Sequence, residues 1–220
     1  MTAGSNPFAT RYTRPGAFEY IFPAGESAEA LVARLGKQKW WGAIIGPHGA
    51  GKSTLLHTLL PALAAADRQP MLYSLHQNQR TLGINRSTAA QWNASTQVIV
   101  DGYEQLSWWG RWRLKSACRR RGAGLLVTTH AAVDIPLLYR VEPSLEMAQQ
   151  VVETILERSQ APAGVLPLHR AEESEQPNQP DFGSVINRDD VAAAFARQQG
   201  NVREALFELH DLYRRRTAAS

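Results

Sequence analysis

Cysteine is nearly absent from this chain. Cys118 is the only one in 220 residues, which excludes an internal disulfide framework and a four-cysteine metal site. Long apolar runs are missing too: nowhere do roughly 18 apolar residues follow one another, so no membrane-spanning helix is expected. The Met1–Ala17 stretch lacks the apolar segment of a secretory signal, and the cytoplasm is the expected address. No internal repeat is present. With 44% hydrophobic and 20% charged residues, the composition is that of a globular protein with a real core. Neither sign of charge dominates. A net charge of +4 permits an acidic partner without requiring one.

What the chain does hold is Gly46-Pro47-His48-Gly49-Ala50-Gly51-Lys52-Ser53, a complete GxxxxGK[ST] pattern. The apolar run Ala43-Ile44-Ile45 leads into it, and the helical pattern from Thr54 to Leu60 leads out. Glycines at 46, 49 and 51 let backbone wrap phosphate oxygens without Cβ clashes, and the helix aims unpaired N–H groups and its positive dipole end at the same anion. This predicts a triphosphate site, with Gly46 to Thr54 cradling ATP, Lys52 reaching the β- and γ-phosphates, and Ser53 ligating Mg²⁺.

Apolar stretches at Met71–Leu75, Ser95–Val100, Gly124–Thr129 and Leu137–Val141 read as further strands, separated by helical patterns. Short apolar strands in that setting predict α/β architecture: a three-layer αβα P-loop NTPase core with a parallel sheet, over 18–142. Residues 1–17 read as a flexible arm. Ser27 is placed to cap a helix that stops at Gly36, and Ser144 to cap another carrying Leu145, Ala148, Val152, Ile155 and Leu156. The proline-rich, acidic stretch 159–183 reads as a mobile insertion in a small C-terminal helical lid over 143–216. Two more helices are expected, near Asp189–Gln199 and from Asn201, where Glu204 three residues on makes a near capping box.

The strand Val98-Ile99-Val100 ends in Asp101, the place where P-loop NTPases keep a Mg²⁺-positioning carboxylate. Glu104, three positions on, is the candidate for orienting and activating an attacking water. Thr128, Thr129 and His130 close the next apolar strand, on the edge where ligands collect in open parallel sheets. Here the chain resembles the ATPase branch of P-loop proteins that inserts a strand between the phosphate-loop strand and the Asp101 strand. In AAA+ and STAND-type ATPases the matching position, sensor 1, is Asn or Thr; transporter-type ABC ATPases carry a histidine after a similar Val-Thr-His run. The resemblance makes Thr129 and His130 competing candidates for reading the γ-phosphate. The ABC alternative fails for want of a long helical insertion and a Ser-Gly-Gly signature. Gly200-Asn201-Val202-Arg203-Glu204-Ala205-Leu206 is similar to the sensor 2 motif of clamp-loader and origin-recognition ATPases, which implies that Arg203 reaches the γ-phosphate from the lid. No arginine stands between His130 and Arg140, where AAA+ rings place an arginine finger.

Between 105 and 121 there is no acid, while Arg111, Lys115 and Arg119 align on a helix beside Trp108 and Trp112. That interleaving suits nucleic acid or an acidic protein surface, with Leu106, Leu114 and Cys118 facing inward. Asn187-Arg188-Asp189-Asp190 resembles the guanine-reading Asn-Lys-x-Asp, but reads as a helix cap. The combined expectation is a Mg-dependent ATPase coupling hydrolysis to a conformational change. A small-molecule or nucleotide kinase, and a non-hydrolysing nucleotide switch, remain the alternatives.

Overall fold

The computed structural model describes residues 6–9, 16–75, 79–160 and 185–218. They form two compact units: Phe22–Glu142, the sheet unit, and Met1–Ile21 with Pro143–Ser220, the helical unit. The expected insertion at 159–183 lies, beyond its first two residues, outside the described ones.

The sheet unit is α/β, with five parallel strands: β1 (Trp41–Ile45), β2 (Gln69–Ser74), β3 (Thr96–Asp101), β4 (Gly124–Thr129) and β5 (Leu137–Arg140), in the order β2-β3-β4-β1-β5. β4 therefore lies between β1 and β3. The three inner strands are buried almost throughout, while β2 and β5, at the edges, are only partly covered. Apolar runs rather than alternation follow from covering both faces. Ala43, Ile45, Val98, Val100, Leu125 and Val127 share one cluster with Leu114 and Cys118, and the intervening Ile44, Ile99 and Leu126 are fully buried as well.

Helices α1 (Ala28–Lys37), α2 (Lys52–Ala65), α3 (Arg86–Ala90) and α4 (Trp108–Arg121) complete this unit. The Ser27 side chain caps α1 by accepting from the Ala30 N–H at 3.1 Å. The helix does not stop at Gly36, as the glycine suggests, but runs to Lys37; Lys39 and Trp40 take left-handed conformations, and the Trp40 N–H donates to the Leu35 carbonyl at 2.9 Å. Termination is done by the two residues past the helix, and Gly36 instead lies against the Trp40 ring. α4 is opened by Ser107, whose hydroxyl accepts from the Gly110 N–H. Burial pushes the Cys118 thiol up to about 12, so it is a packed neutral group.

In the helical unit, α5 (Leu145–Gln160), α6 (Arg188–Arg197) and α7 (Val202–Ala218) bury an apolar core that includes Val152, Ile155, Val191, Leu206 and Leu209. The segment expected as a flexible arm contributes Phe8, which is 1% exposed in that core. Phe18 and Ile21, assigned from sequence to the sheet domain, pack there as well. Asn187 and Asp190 form a reciprocal capping box at the start of α6, and the Glu204 N–H donates to the Asn201 side chain at the start of α7. The Asn187–Asp190 segment is thus occupied in capping its own helix. Among the described residues no helix is long and apolar enough to cross a membrane.

Candidate functional site

The site is built at the C-terminal edge of β1, β3 and β4. β1 hands the chain to the glycine-rich loop 46–51, and α2 starts directly after it with Gly51 as N-cap. Gly51 has φ 91°, a left-handed conformation that a Cβ disfavours, and it offers no side chain to the first-turn N–H groups of α2. Within the loop Pro47 and His48 are exposed, Gly46 and Ala50 are buried, and Gly49 is partly so. Thr54, in the first turn of α2, is also buried.

Lys52 is 8% exposed. A buried ammonium needs acceptors to offset its lost hydration. Its Nζ donates to the Gly46 and Pro47 carbonyls, each at 2.7 Å, and lies 3.2 Å from His130 Nδ1. His130 Nε2 lies 2.8 Å from Glu104 Oε1. One neutral tautomer satisfies both contacts, with Nδ1 accepting from Lys52 and Nε2–H donating to Glu104; the 3.1 Å approach of Nδ1 to the Gly46 oxygen then reflects two acceptors of one ammonium. The His48 ring rests on that of His130, centroids 3.5 Å apart.

Ser53 Oγ donates to Asp101 Oδ2 at 2.6 Å, and Thr128 Oγ1 donates to Oδ1 at 2.6 Å. The Thr128 hydroxyl accepts in turn from the Gly102 N–H at 2.9 Å. Gly102 has φ 84°, and a Cβ there would stand 2.9 Å from the Leu75 carbonyl oxygen, so the turn after Asp101 requires glycine. That turn brings in the 3-10 segment Tyr103–Gln105. Tyr103 is buried, and burial pushes its hydroxyl up to about 12. The Arg111 guanidinium donates to the carbonyls of Glu104 at 2.8 Å and Leu106 at 3.0 Å, holding the same turn from α4. Glu104 Oε2 is buried without a hydrogen-bond partner among the described residues.

Lys52, Ser53, Asp101, Glu104 and His130 are thus brought together. Thr129 is close in sequence but differs: its hydroxyl donates to the Ala131 carbonyl at 3.1 Å, within its own turn, and is 1% exposed. Arg203 is exposed in the first turn of α7, in the helical unit. Thr128, which carries Asp101, has no candidate role in the sequence reading. Its signal was available in the pairing of β3 with β4, since one step beyond the Val100↔Val127 pair sets Asp101 against Thr128.

The expected basic row on α4 is committed elsewhere. Arg111 is spent on carbonyls, Lys115 pairs with Asp134 at 2.9 Å, and Arg119 stacks over the Trp41 ring at 5.2 Å. Lys115 also holds the Asp134 carboxyl below the usual carboxylate range. Trp108 and Trp112 do face solvent, at 67% and 52% exposure.

No protein-family model matches the chain, and no curated protein does. Among solved structures, one chain of the E. coli MS115-1 HORMA:CdnC:Trip13 complex matches at 14% identity over 84% of each chain, with a TM-score of 0.33. A likeness that slight bears on neither fold nor function.

Proposed function

We propose that the sheet unit is a P-loop nucleotide site of the AAA+/STAND-like kind, that it binds ATP with Mg²⁺, and that it hydrolyses the β–γ bond to drive a conformational change. The observation that carries this reading is that one glycine-rich loop and the start of its helix are met by two contact sets, Lys52 with His130 and Glu104, and Ser53 with Asp101. The order of the sheet, with β4 between β1 and β3, supports it.

Each side chain has work suited to its chemistry. The Gly49 to Thr54 backbone offers N–H groups to phosphate oxygens at the start of α2. Lys52 exchanges the Gly46 and Pro47 carbonyls for the stronger acceptors of a β- or γ-phosphate. Ser53 Oγ and Asp101 Oδ2 are hard oxygen donors joined by a 2.6 Å hydrogen bond, and on giving that bond up they would hold a Mg²⁺ that keeps most of its water. When bound, that ion would neutralise charge on the phosphates. Thr128 holds the Asp101 carboxylate from its other oxygen. Glu104 Oε2, buried and unpartnered, is an acceptor for the proton of an attacking water, while Oε1 is anchored by His130. His130 touches Lys52 and Glu104 together, so it, rather than Thr129, is placed to report phosphate arrival to the base.

Phosphate release from Mg·ATP by the purified chain tests this. Turnover is expected from the wild type, with a loss of roughly 10²-fold or more for Lys52→Ala and for Glu104→Gln. Unchanged ATP affinity in Lys52→Ala would overturn the site, and release only in the presence of an acceptor molecule would make the chain a phosphotransferase.

A further inference from the structure

Trp108, Trp109 and Trp112 stand on α4 at 67%, 64% and 52% exposure, far more than large aromatic side chains accept without a reason. Trp109 sits edge-on to both neighbours, with centroids 4.5 Å from Trp108 and 6.1 Å from Trp112. The three make one continuous apolar patch. Helical spacing sets Arg113 one turn past Trp109 on the outward face and Arg120 two turns further along the same face, and no acid among the described residues pairs with either arginine. Alongside runs a groove of about 590 Å³ floored by Leu82, Ile84, Ala89 and Leu114, with Trp112, Arg113 and Arg120 in its wall. It is wide enough for a large side chain.

We infer that this face docks an acidic segment of another protein that inserts an aromatic or leucine side chain into the groove. Charge selects the acidic partner: both charged side chains of the groove wall are arginines, and α4 carries no carboxylate at all. Two observations favour protein over single-stranded nucleic acid. The tryptophans cover one another edge to face at 73° and 85°, which leaves no series of open rings for successive bases. The cations that would track a phosphate backbone along the helix, Arg111, Lys115 and Arg119, are engaged within the sheet unit. Because Arg111 bolts the first turn of α4 to the Glu104 carbonyl, docking would be felt at the candidate base. That last step rests on the ATPase reading, whereas the docking does not.

The test is selection of a displayed random-peptide library on the full chain, with Trp109→Ser/Trp112→Ser as counter-target and matched thermal melts as the folding check. Recovered peptides should be rich in Asp and Glu around one large apolar residue, and should bind the tryptophan variant roughly tenfold or more weakly. Arg113→Glu/Arg120→Glu should lose them equally and regain a version with Lys in place of each acid. Peptides without acidic bias, or none that distinguish wild type from the tryptophan variant, would overturn the proposal. So would oligo-dT binding lost in the same variants, which assigns the face to nucleic acid, or self-association lost in them, which assigns it to a second copy. A bound peptide that leaves phosphate release unchanged would sink only the coupling to Glu104.

Discussion

Among the described residues, every buried side chain classed as polar or charged belongs to the sheet unit, from Lys52 to Thr129, whereas the core of the helical unit is apolar throughout. The difference is one of purpose. Three helices can bury their stripes with hydrophobes alone, and any polar group added there costs desolvation with nothing to offset it. In the sheet unit the buried polar residues fall into two sets at opposite strand ends. At the N-terminal ends, Arg68 donates to the carbonyls of Ala94 and Thr96, and Gln97 to that of Trp40. These contacts close the sheet. At the C-terminal ends Lys52 and Thr128 hold Gly46, His130 and Asp101, and those contacts leave exchangeable partners facing a loop. Polarity buried at the ligand edge of a parallel sheet therefore marks the candidate site better than burial alone.

That contrast can be broken most forcefully from the helical side. Leu209→Ala empties a position that is 1% exposed and should lower unfolding stability by about 2–5 kcal/mol in a denaturant titration, through lost packing alone. Thr128→Val in the sheet unit removes no volume to speak of, yet strands the Gly102 N–H and loosens Asp101. It should cost about 1–3 kcal/mol and weaken Mg·ATP affinity as well, read by denaturation and by calorimetric binding. A stability loss without an affinity loss would make Thr128 purely structural.

Asp190→Asn tests the rim of the helical unit. Hydrogen bonds from the Arg216 guanidinium, 2.6 Å away, hold the Asp190 carboxyl below the usual range, aided by the Asn187 N–H. A carboxylate depressed in the folded state contributes stability at neutral pH that is lost as the pH falls through its acid range. The variant keeps an amide oxygen for the Asn187 N–H but loses the charged pair with Arg216, so it should lose at most about 1 kcal/mol at pH 7 and show a flatter acid limb in melts across pH 2–7. The smallest effect concerns Cys118, the chain's one thiol, which reports on the sheet unit alone. With its pKa pushed to about 12 by burial, alkylation at pH 8 should proceed only through opening of that unit. Leu209→Ala should leave its rate unchanged if the two units open independently, as measured by mass spectrometry.

Much of the site was legible because it rests on local rules. The spacing of glycines before Lys52 and Ser53, and the apolar strand ending in Asp101, name residues that a strand, loop and helix must bring together. The Asn187 and Ser27 caps follow from one side chain and its neighbours within three residues. Less visible were contacts made across strands or between distant turns. Thr128 on Asp101, His130 between Lys52 and Glu104, and Arg111 on the Glu104 turn join residues 27, 78 and 7 positions apart, and periodicity carries no information on such meetings. The exit of α1 differs for a related reason: Gly36 looks like a stop, yet Lys39 and Trp40 bear the left-handed backbone, and the Trp40 carbonyl is held by the Gln97 side chain of β3 and the Leu125 N–H of β4, contacts far away in sequence.

By itself the sequence determined the loop, the carboxylate after the third strand, the parallel α/β class and the capped helices, since each follows from backbone sterics and hydrophobic period over a few residues. Only the tertiary structure decided that His130 rather than Thr129 faces Lys52, that one Glu104 oxygen has no hydrogen-bond partner among the described residues, and that Arg111, Lys115 and Arg119 of α4 are used internally while Arg113 and Arg120 line the outer groove. Those outcomes depend on which strand lies beside which and which turn packs on which helix, and that is settled by burial of the whole core rather than by any one segment.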